Sequence, residues 1–195
     1  MTLLLDNDRV ADFPLEHPPP GGWTVDDLDK LPESHVRYEL TDGALTVSPS
    51  PTPIHQYVAG ALMYLLAQAC PDDLAVTQAV DVVFNPQLTR IPDIQVVRRK
   101  SFGQKRFAAD EIVVAVELES PGSHVSDRAT KPYIYGRYGV PHYWRFEFDP
   151  FTLVRYERMD DGTYKEMVRS TEELNIAEPF PFRVALADLL PPWEW

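Results

Sequence analysis

Apolar residues at Ile54, Tyr57, Val58, Ala61, Leu62, Leu65, Leu66 and Ala69 recur at intervals of three and four. That spacing lays one stripe along a helix and turns it toward a core. It predicts a helix of about four turns, with Thr52 as its cap, Pro53 in its first position and Pro71 beyond its end. Upstream, residues 36–41 and 44–47 are strand-like runs on either side of Asp42-Gly43. An Asp-Gly pair so placed predicts a hairpin, because a type I′ turn needs positive φ at both central residues. Glu39 then lies on a strand. Ahead of the hairpin, Thr24 with Asp27 three residues later predicts a short helix that stops by Pro32.

Downstream the period changes. Residues 74–84 and 90–97 are β-rich, with Pro92 marking an irregular or edge position. Residues 111–119 have an apolar centre too continuous for a half-exposed strand, which predicts a central strand covered on both faces. A loop at residues 120–123 leads to a helix beginning near Lys131, with Tyr135 and Tyr138 inward, ended by Gly139-Val140-Pro141. Residues 142–148, 152–158 and 164–168 read as strands, with Asp161-Gly162 turning the last pair, and residues 184–190 as a short helix. The order predicts an α/β (α+β) fold, a mixed β-sheet flanked by helices with an N-terminal β-hairpin. Residues 1–22 end in Pro18-Pro19-Pro20-Gly21-Gly22 and read as a flexible arm; residues 23–195 read as one domain.

Composition narrows the classes. Hydrophobic residues are 44% and charged residues 25%, an ordinary balance that excludes wholesale disorder. One cysteine, Cys70, excludes an internal disulfide and fits a reducing compartment. No apolar run is long enough to span a membrane, and the first residues lack a secretory pattern; the expected location is cytoplasmic. The formal net charge of −12 argues against an overall basic, DNA-binding surface. Residues 86–106 run the other way: Arg90, Arg98, Arg99, Lys100, Lys105 and Arg106 stand against Asp93 alone. They form either a local basic surface or a solvated loop with charged tips.

Three acids sit where acids are costly. Glu117 and Glu119 lie at the carboxyl end of the central strand, two apart and so on one face. Something cationic belongs beside them. Asp93 is flanked by Ile91-Pro92 and Ile94. Together such carboxylates would make an oxygen-rich pocket of the kind Mg²⁺ takes. The blander alternatives are ion pairs with Arg90 or Arg128. The histidines show no zinc-like spacing, and Trp144 with Tyr133, Tyr135, Tyr138 and Tyr143 reads as core or interface, not as a base-stacking platform.

Several motifs occur in a set order: Arg37-Tyr38-Glu39-Leu40-Thr41-Asp42-Gly43, Ser48-Pro49-Ser50-Pro51 with His55-Gln56, Pro92-Asp93, Val116-Glu117 leading to Ser120-Pro121, Asp127 with Lys131, and Gly139-Val140-Pro141-His142-Tyr143-Trp144. In this order they resemble the Uma-two family of restriction-endonuclease-like proteins, within the PD-(D/E)xK nuclease superfamily, from about Trp23 onward. The resemblance implies a restriction-endonuclease-like core. It implies that Asp93 and Glu117 ligate Mg²⁺ (or Mn²⁺) with the backbone carbonyl of Leu118. Glu39 would complete the site, at a second metal or a water. The superfamily lysine belongs at position 119, where this chain carries Glu119. The resemblance therefore assigns the lysine role to Lys131, with Glu119 a further ligand or base. His55, at the start of the long helix, is a candidate where a phosphate would approach. The implied activity is metal-dependent endonucleolytic hydrolysis of DNA, leaving a 5′-phosphate and a 3′-hydroxyl, by a homodimer. Two rivals remain: a nuclease-fold binding or scaffold module without cleavage, favoured by the charge and by Glu119, and a carboxylate hydrolase acting on another substrate.

Overall fold

The computed structural model describes residues 18–31, 37–48, 50–120 and 122–193. Residues 1–17 of the expected arm, Pro32 and Val36 lie outside these. A one-turn helix α1 (Val25–Leu28) precedes a hairpin of β1 (Arg37–Thr41) and β2 (Ala44–Ser48). The long helix α2 (Pro53–Ala69) leads into β3 (Leu74–Gln78), β4 (Val82–Asn85), β5 (Leu88–Arg90), β6 (Ile94–Arg98) and β7 (Phe107–Ala108). Then come β8 (Ile112–Leu118), α3 (Lys131–Arg137), β9 (His142–Phe148), β10 (Phe151–Arg158), β11 (Tyr164–Ser170), β12 (Glu173–Ile176) and β13 (Phe182–Ala185).

A six-stranded sheet in the order β11-β10-β9-β8-β6-β3 forms the body. Only the β8–β9 pair in it is parallel. The apolar run in β8 follows from its place: Val114, Val116 and Leu118 pack under α2 with Val58, Leu62 and Leu66. Ala115 and Ile112 pack with Tyr135 and Tyr143 on the α3 side. Both faces are covered, as its sequence predicts. The small β5-β4-β7 sheet extends the α3-side core through Val82, Phe84, Leu88 and Phe107. The architecture is a mixed α+β fold.

Local signals set the ends of the elements. Thr52 caps α2 by accepting from the His55 N–H at 3.4 Å. Asp42 and Gly43 both have positive φ, 49° and 77°, as the hairpin turn requires. Asp27 accepts from both the backbone N–H (3.1 Å) and the hydroxyl (2.6 Å) of Thr24, closing the first turn of α1.

Several expectations are corrected. Residues 74–84 form two strands in two sheets, because Ala79 takes φ 52° and turns the chain between them. The run over 90–97 is likewise interrupted: β5 ends at Arg90 and β6 starts at Ile94. The buried stripe of α2 is His55, Val58, Ala59, Leu62 and Leu66, while Tyr57 turns outward onto the Trp193 ring at 5.8 Å. Residues 184–190 do not form an α-helix; β13 runs to Ala185 and a 3₁₀ turn follows over Leu186–Leu189. The last part of the expected arm makes a turn against the hairpin. The Gly22 N–H donates to the Pro19 carbonyl, and Gly22 sits so close to Gly43 that a Cβ would stand 2.9 Å from its Cα. The basic stretch divides: Arg98, Arg99 and Lys100 are exposed, while its other three cations are buried or paired. Arg90 is buried, donating to the Leu40 carbonyl; Arg106 pairs with Asp29 and Asp81, and Lys105 with Asp29.

Two glycines of opposite character test this packing. A Cβ on Gly136, in α3, would stand 2.2 Å from the Gly162 carbonyl oxygen, whereas one on the exposed Gly60 of α2 meets nothing. Thermal unfolding is expected to show Gly136→Ala destabilised by about 1–3 kcal/mol and Gly60→Ala stabilised by about 0.5–1 kcal/mol.

Candidate active site

Register places the first two acids. Ile94 pairs with Val116 across the antiparallel β6–β8 ladder, so the next residue outward, Asp93, comes beside Glu117 and Leu118. The Leu118 N–H donates to Asp93 Oδ2 at 2.8 Å, and His55 Nε2, from the first turn of α2, approaches the same oxygen at 3.1 Å. Asp93 Oδ1 accepts no hydrogen bond among the described residues. Burial pushes the Asp93 carboxyl up, but His55, Lys131 and the Leu118 N–H outweigh it and hold it below the usual value.

Glu117 is fully enclosed at the end of β8. Its Oε2 lies 2.6 Å from Lys131 Nζ, and its Oε1 accepts from the Tyr135 hydroxyl at 2.5 Å. Lys131 also reaches Asp127 Oδ1 at 2.8 Å. The reach comes from an irregular helix. Ser126–Thr130 forms a π-helical turn immediately before α3, and such turns reorient side chains at functional sites. Its backbone is pinned by the Tyr143 hydroxyl, which donates to the Asp127 carbonyl at 2.7 Å. Asp127, Lys131 and Tyr135 then follow at intervals of four, on one helical face.

The charge here does not balance. One ammonium serves Glu117 and Asp127 directly, with Asp93 and Glu39 also holding it in its charged form, so Lys131 is raised above its ordinary value against the cost of burial. Burial, with the added repulsion of Asp93 and Asp127, pushes Glu117 well above the usual carboxylate range despite Lys131. Glu39 comes from the hairpin, which is tied to β5 by the Leu40 N–H to Thr89 Oγ1 bond at 2.9 Å. Its Oε1 accepts from the Ile91 N–H at 2.8 Å. Glu39, His55, Asp93, Glu119, Asp127 and Lys131 border one cavity of about 490 Å³, with Glu117 beneath it.

Glu119 differs from the others. Arg128 donates to its two oxygens at 2.7 and 3.1 Å, His124 Nδ1 contacts Oε1, and Arg145 Nε lies 3.6 Å from Oε2. The expected cations are therefore present, though Arg128 serves Glu119 and not Asp93 or Glu117. Sequence reasoning singled out neither Asp127 nor Tyr135 as site residues. Their four-residue spacing from Lys131 was the available signal. Among the described residues no three His, Cys, Asp or Glu side chains stand as a ready-made metal cage. Of the tyrosines that the sequence assigns to core or interface, Tyr135 and Tyr143 are buried and Tyr133 is 63% exposed.

Removing Lys131 would leave Glu117 and Asp127 buried without a counter-charge. Chemical denaturation is expected to show Lys131→Met destabilised by about 3–5 kcal/mol. In the double variant with Glu117→Gln the two costs are expected to fall short of additive by about 0.5–3 kcal/mol.

No curated protein matches the chain at a significant level. Among solved structures, the chain is similar to "a putative nuclease belonging to DUF820" from Anabaena variabilis. The two share 18% identity over 85% of this chain and 96% of that one, with a TM-score of 0.68, a likeness of fold. A family model described as "Putative restriction endonuclease" matches residues 25–188. That span takes in the hairpin, α2, the whole six-stranded sheet and every residue of the cavity, and the chain belongs to this family, Uma2.

Proposed function

We propose that the chain is a divalent-metal-dependent phosphodiesterase that hydrolyses DNA in the cavity at the end of β8. The observation that carries this reading is the reach of Lys131. Its ammonium stands 2.6 Å from Glu117 Oε2 although Glu119 occupies the position of the superfamily lysine. The donor set suits a hard cation: Asp93 and Glu117 carboxylates with the Leu118 carbonyl, in a pocket with too little positive charge of its own. These residues would hold Mg²⁺ or Mn²⁺. When bound, such an ion polarises a phosphate oxygen and makes a bound water more acidic.

The chain's own groups divide the remaining work. Lys131 is held protonated by the surrounding carboxylates, so it serves as a fixed positive charge for the negative charge that develops on phosphorus-bound oxygens. It is not a base. His55 orients Asp93 through Oδ2. Glu39 keeps Oε2 for a water or a second cation while Ile91 holds Oε1. Tyr135 fixes the rotamer of Glu117 from the side away from the cavity. Glu119 already has three cationic neighbours, Arg128, His124 and Arg145, and we assign it a structural part. Cutting both strands of a duplex takes two such sites, and we infer a homodimer.

The test is cleavage of plasmid and end-labelled DNA with Mg²⁺ or Mn²⁺, against chelator. Metal-dependent products with 5′-phosphates are expected. Asp93→Asn and Glu117→Gln are expected to abolish them, and Lys131→Met to slow them by about 10²–10³-fold. Full cleavage by the Asp93 and Glu117 variants would sink the reading. DNA and metal binding without turnover would instead favour the binding-module reading, which the closed pairing of Glu117 with Lys131 and Tyr135 also favours.

A further inference from the structure

A second cleft lies against the other side of the same helical segment. Its volume is about 470 Å³, and Arg128, Arg137, Arg145, Arg158 and Tyr133 border it. We propose that this cleft seats the sugar–phosphate backbone, and one stacked base, of the single nucleic-acid strand that leads away from the catalytic cavity. The proposal rests on the nuclease reading for its direction, and on the following observations for its chemistry.

The chain carries a net charge of −12, yet four guanidinium groups surround one cleft. Two of them are paired: Arg128 with Glu119 and Glu147, and Arg145 with Glu147. The other two are not. Among the described residues Arg137 and Arg158 stand in no direct ion pair; Arg137 donates to the Tyr133 hydroxyl at 2.9 Å and Arg158 to the Gly136 carbonyl at 2.6 Å, with Asp161 near enough to feel the charge of Arg158. A guanidinium has five donors in a fixed fork that fits phosphate oxygens, so most of their donors remain uncommitted. Arg145 is held between Glu119 and Glu147, with its guanidinium 5.5 Å from the Tyr156 ring centre, and contributes charge rather than free donors. A loop-like display of cations would be solvated, whereas this set is gathered in a concavity.

Tyr133 supplies the second half of the chemistry. It is 63% exposed at the cleft, and an exposed ring beside cations is the usual platform for a nucleobase. At about 470 Å³ the cleft is the size of a small-molecule site, room for about one nucleotide, so we assign it one strand. Its position gives continuity. Glu119 borders the catalytic cavity and Arg128 borders this cleft, and the two are bonded to each other. The half-exposed Arg128 thus joins the two linings, and we route the strand past it from one cavity to the other. Asp160 and Asp161 stand on the far rim. Asp161 is already engaged by Thr163, while Asp160 is exposed and repels the strand on that side.

Binding is read by fluorescence anisotropy of a dye-labelled single-stranded DNA oligonucleotide on the full chain, in chelator and over a salt series. Turnover is thereby absent, and the result does not depend on the metal. Tyr133→Leu with Arg137→Gln is expected to weaken binding about tenfold, one lost base stack and one lost phosphate contact. The slope of log K against log salt is expected to fall by about 0.7. Asp160→Asn is expected to tighten binding. All three residues lie at the surface, and a thermal melt confirms that each variant folds. Unchanged affinity and slope in the double variant, or no binding by the unaltered chain, overturns the cleft. If the double variant loses binding while Asp93→Asn still cleaves, the cleft stands and the nuclease assignment fails. If Asp93→Asn stops cleavage while the double variant binds normally, the reverse holds.

Discussion

The site depends on one buried carboxylate, Glu117, and on what must be done to keep it there. A carboxylate at the end of a strand covered on both faces costs several kcal/mol unless charge and hydrogen bonds meet it. Lys131 and Tyr135 meet it from the same helical face, and Asp127 shares the lysine. To bring three residues of one helix onto one strand end, the chain begins the helix with a π-helical turn and pins it by Tyr143. Strand β8, helix α3 and strand β9 are thereby locked at the point where the chemistry would occur.

The same arrangement leaves the pocket short of positive charge. Asp93, Glu117, Asp127 and Glu39 all bear on one ammonium, and His55 attends only to Asp93. Burial relieves part of this by pushing Glu117 toward its neutral form, and the proposed divalent cation would meet the remaining oxygen donors. Elsewhere the chain spends its arginines on structure. Arg90 ties β5 to the hairpin and so sets the position of Glu39; Arg106 holds Asp29 and Asp81. Half of the stretch that looks most basic in the sequence is thus spent on structure, and the two arginines of the second cleft without a direct ion pair, Arg137 and Arg158, lie at the end of α3 and the end of β10.

Much was legible because it rests on short-range rules. The hairpin follows from Asp42-Gly43, whose positive φ values the turn demands. The start of α2 follows from Thr52-Pro53. The central place of β8 follows from an apolar run with no alternation. The motif order suggested the family, which the family match bears out, and the β6–β8 register brings Asp93 to the end of β8. What was misread depends on partners distant in sequence. Tyr57 belongs to the apolar period of α2, yet the helix buries His55, Val58, Ala59, Leu62 and Leu66, which leaves Tyr57 at the edge of the stripe against Trp193. Residues 74–84 have uniform β propensity, and a single left-handed residue, Ala79, divides them.

Composition, turn chemistry and periodicity determined the class of fold, most of its elements and the acids that stand out of place. Those are properties of neighbours along the chain, and the sequence states them directly. Only the tertiary structure decided which cation serves which acid. Lys131 goes to Glu117 and Asp127, Arg128 to Glu119 and Glu147, and His55 to Asp93. These assignments turn on a few ångströms of separation and on burial, since an ion pair is strong only where water is excluded. No spacing rule sets those distances; the packing of α2 and α3 on opposite faces of one sheet does.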